Sequence, residues 1–304
     1  MKGSTLSRRS LAGLAVTLVA SPASAWGSEA RQTSPDEKLK YLDAARRLTV
    51  EVMINGQGPF KMMVDTGADS SVISIETADK LGLARGATVE MHSIAGVQTV
   101  DTVLIDTLQM GRRIQRRMRV SLVAERYLGA AGLLGLDWLG ANSLMLNYGK
   151  LRMAVGEPLP LPDANTVVIK TRTRSGLTLL DAFMPGHRLI AFLDSGSSTT
   201  VGNLALLRAA QASKAVLGGV VDLNLTSATG QTLPGRLVVL SRLTLDTMTL
   251  MNVPVVVGPV HTFEYWGLGD QPAILIGSDI LQKFETVALD FKRHEVRFKV
   301  ADRG

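Results

Sequence analysis

Met62-Met63-Val64-Asp65-Thr66-Gly67-Ala68-Asp69-Ser70-Ser71-Val72 and Ile190-Ala191-Phe192-Leu193-Asp194-Ser195-Gly196-Ser197-Ser198-Thr199-Thr200-Val201 carry one pattern twice. Each is an apolar strand that ends in Asp-(Thr/Ser)-Gly. Burying an ionised group is costly, so a carboxylate straight after an apolar run belongs there for its chemistry. A single Asp-Thr-Gly is an ordinary turn signal. Two of them in matching contexts point to a paired site.

The repetition extends outward from both triplets. Asp65 is followed by Leu133-Leu134-Gly135-Leu136-Asp137-Trp138-Leu139, and Asp194 by Leu275-Ile276-Gly277-Ser278-Asp279-Ile280-Leu281. Between triplet and Gly motif, Ser93-Ile94-Ala95-Gly96-Val97-Gln98-Thr99 has its counterpart in Ser227-Ala228-Thr229-Gly230-Gln231-Thr232. Beyond the Gly motif, Leu146-Asn147-Tyr148 mirrors Leu289-Asp290-Phe291. The order is the same in both halves, which describes one β-rich unit duplicated and fused.

On these motifs the chain resembles the retroviral-type (retropepsin-like) aspartic proteases in a duplicated, single-chain form. The first half also resembles bacterial exported members, through Ile54-Asn55-Gly56-Gln57-Gly58-Pro59-Phe60, Ser71-Val72-Ile73-Ser74 and Leu81-Gly82-Leu83. The resemblance covers roughly residues 47–300. It implies a mostly β fold of two pseudo-twofold-related β-barrel lobes with a central cleft. It implies Asp65 and Asp194 as a catalytic dyad, with Thr66, Gly67, Ser195 and Gly196 supporting the two turns. It also implies that Ser93, Ile94, Ala95, Gly96 and Ser227, Ala228, Thr229, Gly230 form flaps that close over a peptide or protein substrate; as residues alone they are equally well surface hairpins. Where the family usually carries Arg after the downstream Gly, this chain has Leu136 and Ser278.

Physical chemistry supports the same roles. Two carboxylates held a few ångströms apart cannot both ionise cheaply, so the pair shares a proton. One can accept a proton from water while the other polarises a carbonyl. Glycine lets each loop turn sharply and approach its partner. Asp137 and Asp279 are expected to be structural, tying each Gly motif to nearby backbone. The expected activity is aspartic endopeptidase. The alternatives are a catalytically silent peptide-binding module of the same fold, and an enzyme whose active unit is a dimer of chains. A monomer with an internal pseudo-dimer is the expected state.

Other chemistries fit poorly. The four histidines, His92, His187, His261 and His294, are dispersed, with no His-Glu-x-x-His pair for zinc. There is no Gly-x-Ser-x-Gly elbow and no cysteine nucleophile. No cofactor and no metal are expected.

The chain has 304 residues, 46% of them hydrophobic, enough for two lobes with a core each. Residues 1–25 have a basic start (Lys2, Arg8, Arg9), an apolar run from Leu11 to Ala20 and Ala23-Ser24-Ala25, the pattern of a secretory signal peptide. The run is too short to span a membrane, so no stable span is expected in the mature chain. Ser7-Arg8-Arg9-Ser10-Leu11 resembles a twin-arginine signal, which leaves that route and the general secretory route both open. Export to a bacterial periplasm is the expected location, and a chain with no Cys agrees with it. Losing the leader removes three of the positive charges, so the basic balance gives little support for nucleic-acid binding.

The organisation follows: residues 26–46 a polar lead-in or pro-segment, 47–156 an N-terminal lobe, 157–166 a Pro-alternating linker, and 167–304 a C-terminal lobe. Thr49 to Ile54 and Phe60 to Val64 read as strands around a loop from Asn55 to Pro59. Ile75–Leu83 and Leu204–Ser213 read as short helices. Five arginines between Arg112 and Arg119 read as a solvated edge rather than a docking patch. Phe263, Tyr265 and Trp266 are placed either in substrate pockets or in aromatic core.

Overall fold

In the computed structural model, residues 10–11, 17–19, 48–140, 143–174 and 177–301 are described. The first half begins with Thr49–Ile54 and Gln57–Val64, an antiparallel pair. The loop expected from Asn55 to Pro59 is shorter than the sequence implied. Asn55 and Gly56 take positive φ (50° and 75°), the two-residue turn that matches strand twist, so Gln57 to Pro59 join the second strand. Gln57–Val64 and Thr49–Ile54 then close a six-stranded barrel with Thr102–Met110, Arg113–Val123, Val72–Ser74 and Gly132–Leu134.

The second half repeats the design in one sheet of eight of its own strands, with Thr17–Val19 as a ninth at the edge, curled so that Leu177–Met184 pairs with both His187–Leu193 and Thr232–Leu245. In each half the strand that delivers the aspartate lies parallel to the strand before the Gly motif. Met62, Met63 and Val64 pair with Gly132, Leu133 and Leu134. Ile190 to Leu193 pair with Ala273 to Ile276. Alternate side chains of these strands enter different apolar clusters, Met62 and Val64 one and Met63 another, Ala191 and Leu193 one and Phe192 another, so both faces are buried and the segments are continuous apolar runs rather than alternating ones.

The expected helices form as Ile75–Lys80 and Leu204–Ala212. Their N-caps are equivalent: Ser74 Oγ accepts from Thr77 N–H and Asn203 Oδ1 accepts from Leu206 N–H. Both helices bury one face on their own lobe, through Ala78 and through Leu206, Leu207 and Ala210.

A third sheet joins the halves. Its order is Arg152–Val155, Ser143–Asn147, Thr286–Asp290, Glu295–Lys299 and Thr166–Lys170, so Arg152–Val155 and Thr166–Lys170 are its edges and Ser143–Asn147 meets Thr286–Asp290 across the join. The contact across the seam is a backbone ladder, Ser143↔Asp290 through Asn147↔Thr286.

Two hairpins stand over the barrels. The first pairs Val89–Ser93 with Gly96–Val100, and the second pairs Val216–Thr226 with the start of Thr232–Leu245. Each carries an added strand on its outer edge from the segment read as leader: Ser10–Leu11 runs parallel to Met91-His92, and Thr17–Val19 runs antiparallel to Asn224–Thr226. The remainder of residues 1–25 and residues 26–46 lie outside the described residues. Among the described residues no helix is long and apolar enough to cross a membrane.

Of the arginine run, Arg112 lies in a turn and Arg113, Arg116, Arg117 and Arg119 lie on the strand Arg113–Val123. Arg116, Arg117 and Arg119 face solvent while Met118, Val120 and Leu122 face the barrel core. Arg113 is the exception: its guanidinium stacks 4.7 Å from the Trp138 ring and donates to the Trp138 and Leu139 carbonyls.

Candidate active site

The two Asp-(Thr/Ser)-Gly turns meet at the seam. Asp65 N–H donates to Leu134 O and Asp194 N–H to Ile276 O, both at 3.0 Å, so each turn is pinned to the strand before its own Gly motif. The hydroxyls then tie the halves together. Thr66 Oγ1 donates to Leu193 O (2.8 Å) and accepts from Ser195 N–H (3.1 Å). Ser195 Oγ donates to Val64 O (2.8 Å) and accepts from Thr66 N–H (3.2 Å). Four buried bonds therefore obey one pseudo-twofold axis.

The carboxylates face each other across that axis. A Cβ on Gly67 would stand 2.6 Å from Cγ of Asp194, and one on Gly196 would come closer still to Cγ of Asp65. Only glycine permits this approach. Asp65 Oδ1 accepts from Gly67 N–H (2.7 Å). Asp194 Oδ1 accepts from the N–H groups of both Gly196 and Ser197, each at 2.9 Å. Both residues are 0% exposed. Burial, and then the neighbouring Asp65 charge, hold the Asp194 carboxyl well above the ordinary carboxylate range. The backbone donors pull the other way and do not prevail.

Behind each turn lies a second matched pair. Ser71 Oγ donates to Asp137 Oδ1 (2.6 Å) and accepts from Gly135 N–H (3.0 Å). Thr200 Oγ1 donates to Asp279 Oδ1 (2.7 Å) and accepts from Gly277 N–H (3.1 Å). Asp137 and Asp279 also accept from Trp138 and Ile280 N–H. Burial raises both carboxyls above their usual range. They fasten each Gly motif to its turn through a hydroxyl.

The hairpin tips reach across the seam. Ile94 is 0% exposed and packs in the apolar cluster of the second half with Phe192, Phe263 and Val260. Ala228 packs in the cluster of the first half with Met63, Val72 and Leu128, and Gly230 lies against the Tyr127 ring. Ser93 and Thr229 meet hydroxyl to hydroxyl at 3.5 Å. Ser227, Ala95 and Gly96 sit at the same tips, although Gly96 is not in contact with the opposite half through any position its Cβ would occupy.

Sequence reasoning missed the partners under the tips. His261 and Tyr127 gave no signal of their own because the fold alone brings them beneath residues far away in the chain; Tyr265 was singled out with its aromatic neighbours, but not as a partner of the first tip. Phe263 and Trp266 are core, their rings tilted against Phe192 at centroid distances of 6.3 and 4.7 Å. Tyr265 is half-buried beside the first tip. Among the described residues, no group of three or more His, Asp or Glu is placed to hold a metal ion.

Two barrels that each contribute an Asp-Gly turn to one pseudo-twofold seam define the acid-protease class of fold. Family models match in tandem: "gag-polyprotein putative aspartyl protease" over residues 50–141 and "Aspartyl protease" over residues 182–280. The chain belongs to the retropepsin-like aspartyl proteases, as a duplicated form in which both copies lie in one polypeptide. No curated protein matches it.

Proposed function

We propose that this protein is an aspartic endopeptidase with Asp65 and Asp194 as its dyad. The observation that carries this is the mutual packing of Gly67 on Asp194 and Gly196 on Asp65, with the Asp194 carboxyl held above its ordinary range. That geometry keeps one proton between two carboxylates at pH values where free carboxyls are charged. The unprotonated member takes a proton from water as the oxygen attacks the scissile carbonyl carbon, and the protonated member hydrogen-bonds to the carbonyl oxygen. The proton then passes to the amide nitrogen, the C–N bond breaks, and an acid and an amine are released.

An extended peptide is the matching substrate. The outer edges of both flaps accept a strand, and the senses of pairing fit a single directional segment. Flap strands related by a twofold axis run oppositely, so one peptide crossing the cleft has to be parallel to one flap and antiparallel to the other. Ser10–Leu11 and Thr17–Val19 obey that rule. Main-chain bonds of this kind supply affinity, and alternate side chains supply selectivity.

The decisive experiment is a peptide-library digestion across acidic to neutral pH with protein lacking residues 1–25, beside Asp65→Asn and Asp194→Asn. Cleavage lost in both variants supports the dyad. Cleavage retained in either one sinks it, and binding without cleavage by the parent favours the silent peptide-binding module. Export, with the chain working as a monomer, is proposed on the leader pattern and the internal pairing of the halves; fractionation and sedimentation test these separately.

A further inference from the structure

The two flaps are not fastened alike. The second tip rests on the opposite half through Ala228 and through Gly230 on Tyr127. The first is held by a ring contact as well. His92 Nδ1 and His261 Nε2 are 3.0 Å apart, with ring planes inclined by 11° and centroids 5.3 Å apart. Tyr265 covers His92 at a centroid distance of 4.0 Å. Beside the rings, His261 N–H donates to Ile94 O (2.8 Å). His92 is 5% exposed, though it lies in a hairpin that has to open for a substrate to enter.

We propose that His92 and His261 are positioning residues, a proton-dependent latch that holds the first flap across the cleft at neutral pH and releases it on acidification. This rests on the protease assignment for its purpose, but not for its test. A nitrogen-to-nitrogen hydrogen bond needs one N–H and one lone pair. Two fully protonated imidazoles turn two N–H groups and two positive charges toward each other, so the contact is broken from both sides.

The surroundings favour the neutral pair. Burial lowers the His261 imidazole below its ordinary value, and Glu264 on the same helix opposes this without reversing it. Tyr265 on that helix covers His92, Glu90 lies exposed two residues before His92 on the same strand, and Ser10–Leu11, paired with Met91-His92, brings no ionisable residue. Val97 lies opposite His92 on the partner strand. The latch is therefore held above the ordinary imidazole range and lost as pH falls through the lowered value.

The chain has no Cys, so a cysteine pair can be introduced for spin labels without background. Labels at Q98C on the exposed face of the first flap and D270C on the second half report their separation at pH 7.5 and pH 5.0, with no substrate and no turnover. A short distance at pH 7.5 giving way to a longer one at pH 5.0, with the open population rising about tenfold, is the expected result. His92→Gln and His261→Gln should abolish the shift. A distribution unchanged by pH, or a shift that survives in both variants, overturns the latch. If a variant folds poorly, imidazole NMR on the parent protein decides: uptake of the second proton by this pair must coincide with opening, and an opening that precedes or follows it overturns the proposal. Inactive protein with an intact latch leaves this inference standing and removes the protease assignment alone.

Discussion

Thr66 and Ser195 are each other's hydrogen-bond partner twice over, each hydroxyl accepting the other residue's N–H while donating to the carbonyl just before the other half's aspartate. All four polar atoms are buried. Losing one hydroxyl therefore strands both a donor and an acceptor. Thr66→Ala and Ser195→Ala should each cost about 2–3 kcal/mol. Ser195→Thr, which keeps the hydroxyl, should cost less than 1 kcal/mol, roughly. Urea denaturation midpoints measure both. Equal losses for Ala and Thr at position 195 would show that the hydroxyl is not what matters.

Gly67→Ala and Gly196→Ala place a methyl group against the opposing carboxyl. The obstacle is a buried side chain pinned by backbone N–H donors, so it cannot swing aside freely. Cleavage should disappear and stability fall by about 2 kcal/mol or more. Thermal melts beside a cleavage assay separate the two effects.

Asp194→Asn should abolish cleavage while raising stability at neutral pH. A carboxyl whose value is higher folded than unfolded stabilises fully below its ordinary value of 3.8, and that contribution is lost as pH rises through the raised value. Asp163 works in the opposite sense: hydrogen bonds from Thr166 and then Lys299 lower it to about 2, so its contribution is lost only as pH falls toward that value. The difference in stability between parent and Asp194→Asn across pH 3 to 8 isolates the first effect. It should widen in favour of the variant with rising pH.

Asp137→Ala removes an acceptor from Ser71 N–H, Ser71 Oγ and Trp138 N–H together. About 3 kcal/mol should be lost, against a much smaller loss for Asp137→Asn, which keeps one carbonyl oxygen. Burial already favours the uncharged carboxyl there, and Asn copies that state. Asp279→Ala and Asp279→Asn should behave in the same way through Thr200.

The repeat was legible because it is written in residue types with few substitutes. An aspartate after buried strand residues, a glycine where two loops touch, and a hydroxyl at the seam each answer a local demand. The helix boundaries were also local, set by Ser74 and Asn203 as caps. What the sequence hid was long-range. His92 and His261 are as scattered in the chain as the other two histidines, and only the crossing of the first hairpin onto the second half brings their nitrogens to 3.0 Å. Tyr127 under Gly230 is the same case. The Asn55-Gly56 turn was local and readable, but Pro59 drew the loop longer than it is.

The ladder from Ser143↔Asp290 to Asn147↔Thr286 makes the floor of the molecule continuous from one barrel to the other. In a protease assembled from two identical chains, the protomers can separate and activity dilutes away. Here the two Asp-(Thr/Ser)-Gly turns belong to one polypeptide, so their mutual concentration does not fall with dilution, and the cost of associating them is met once, during folding.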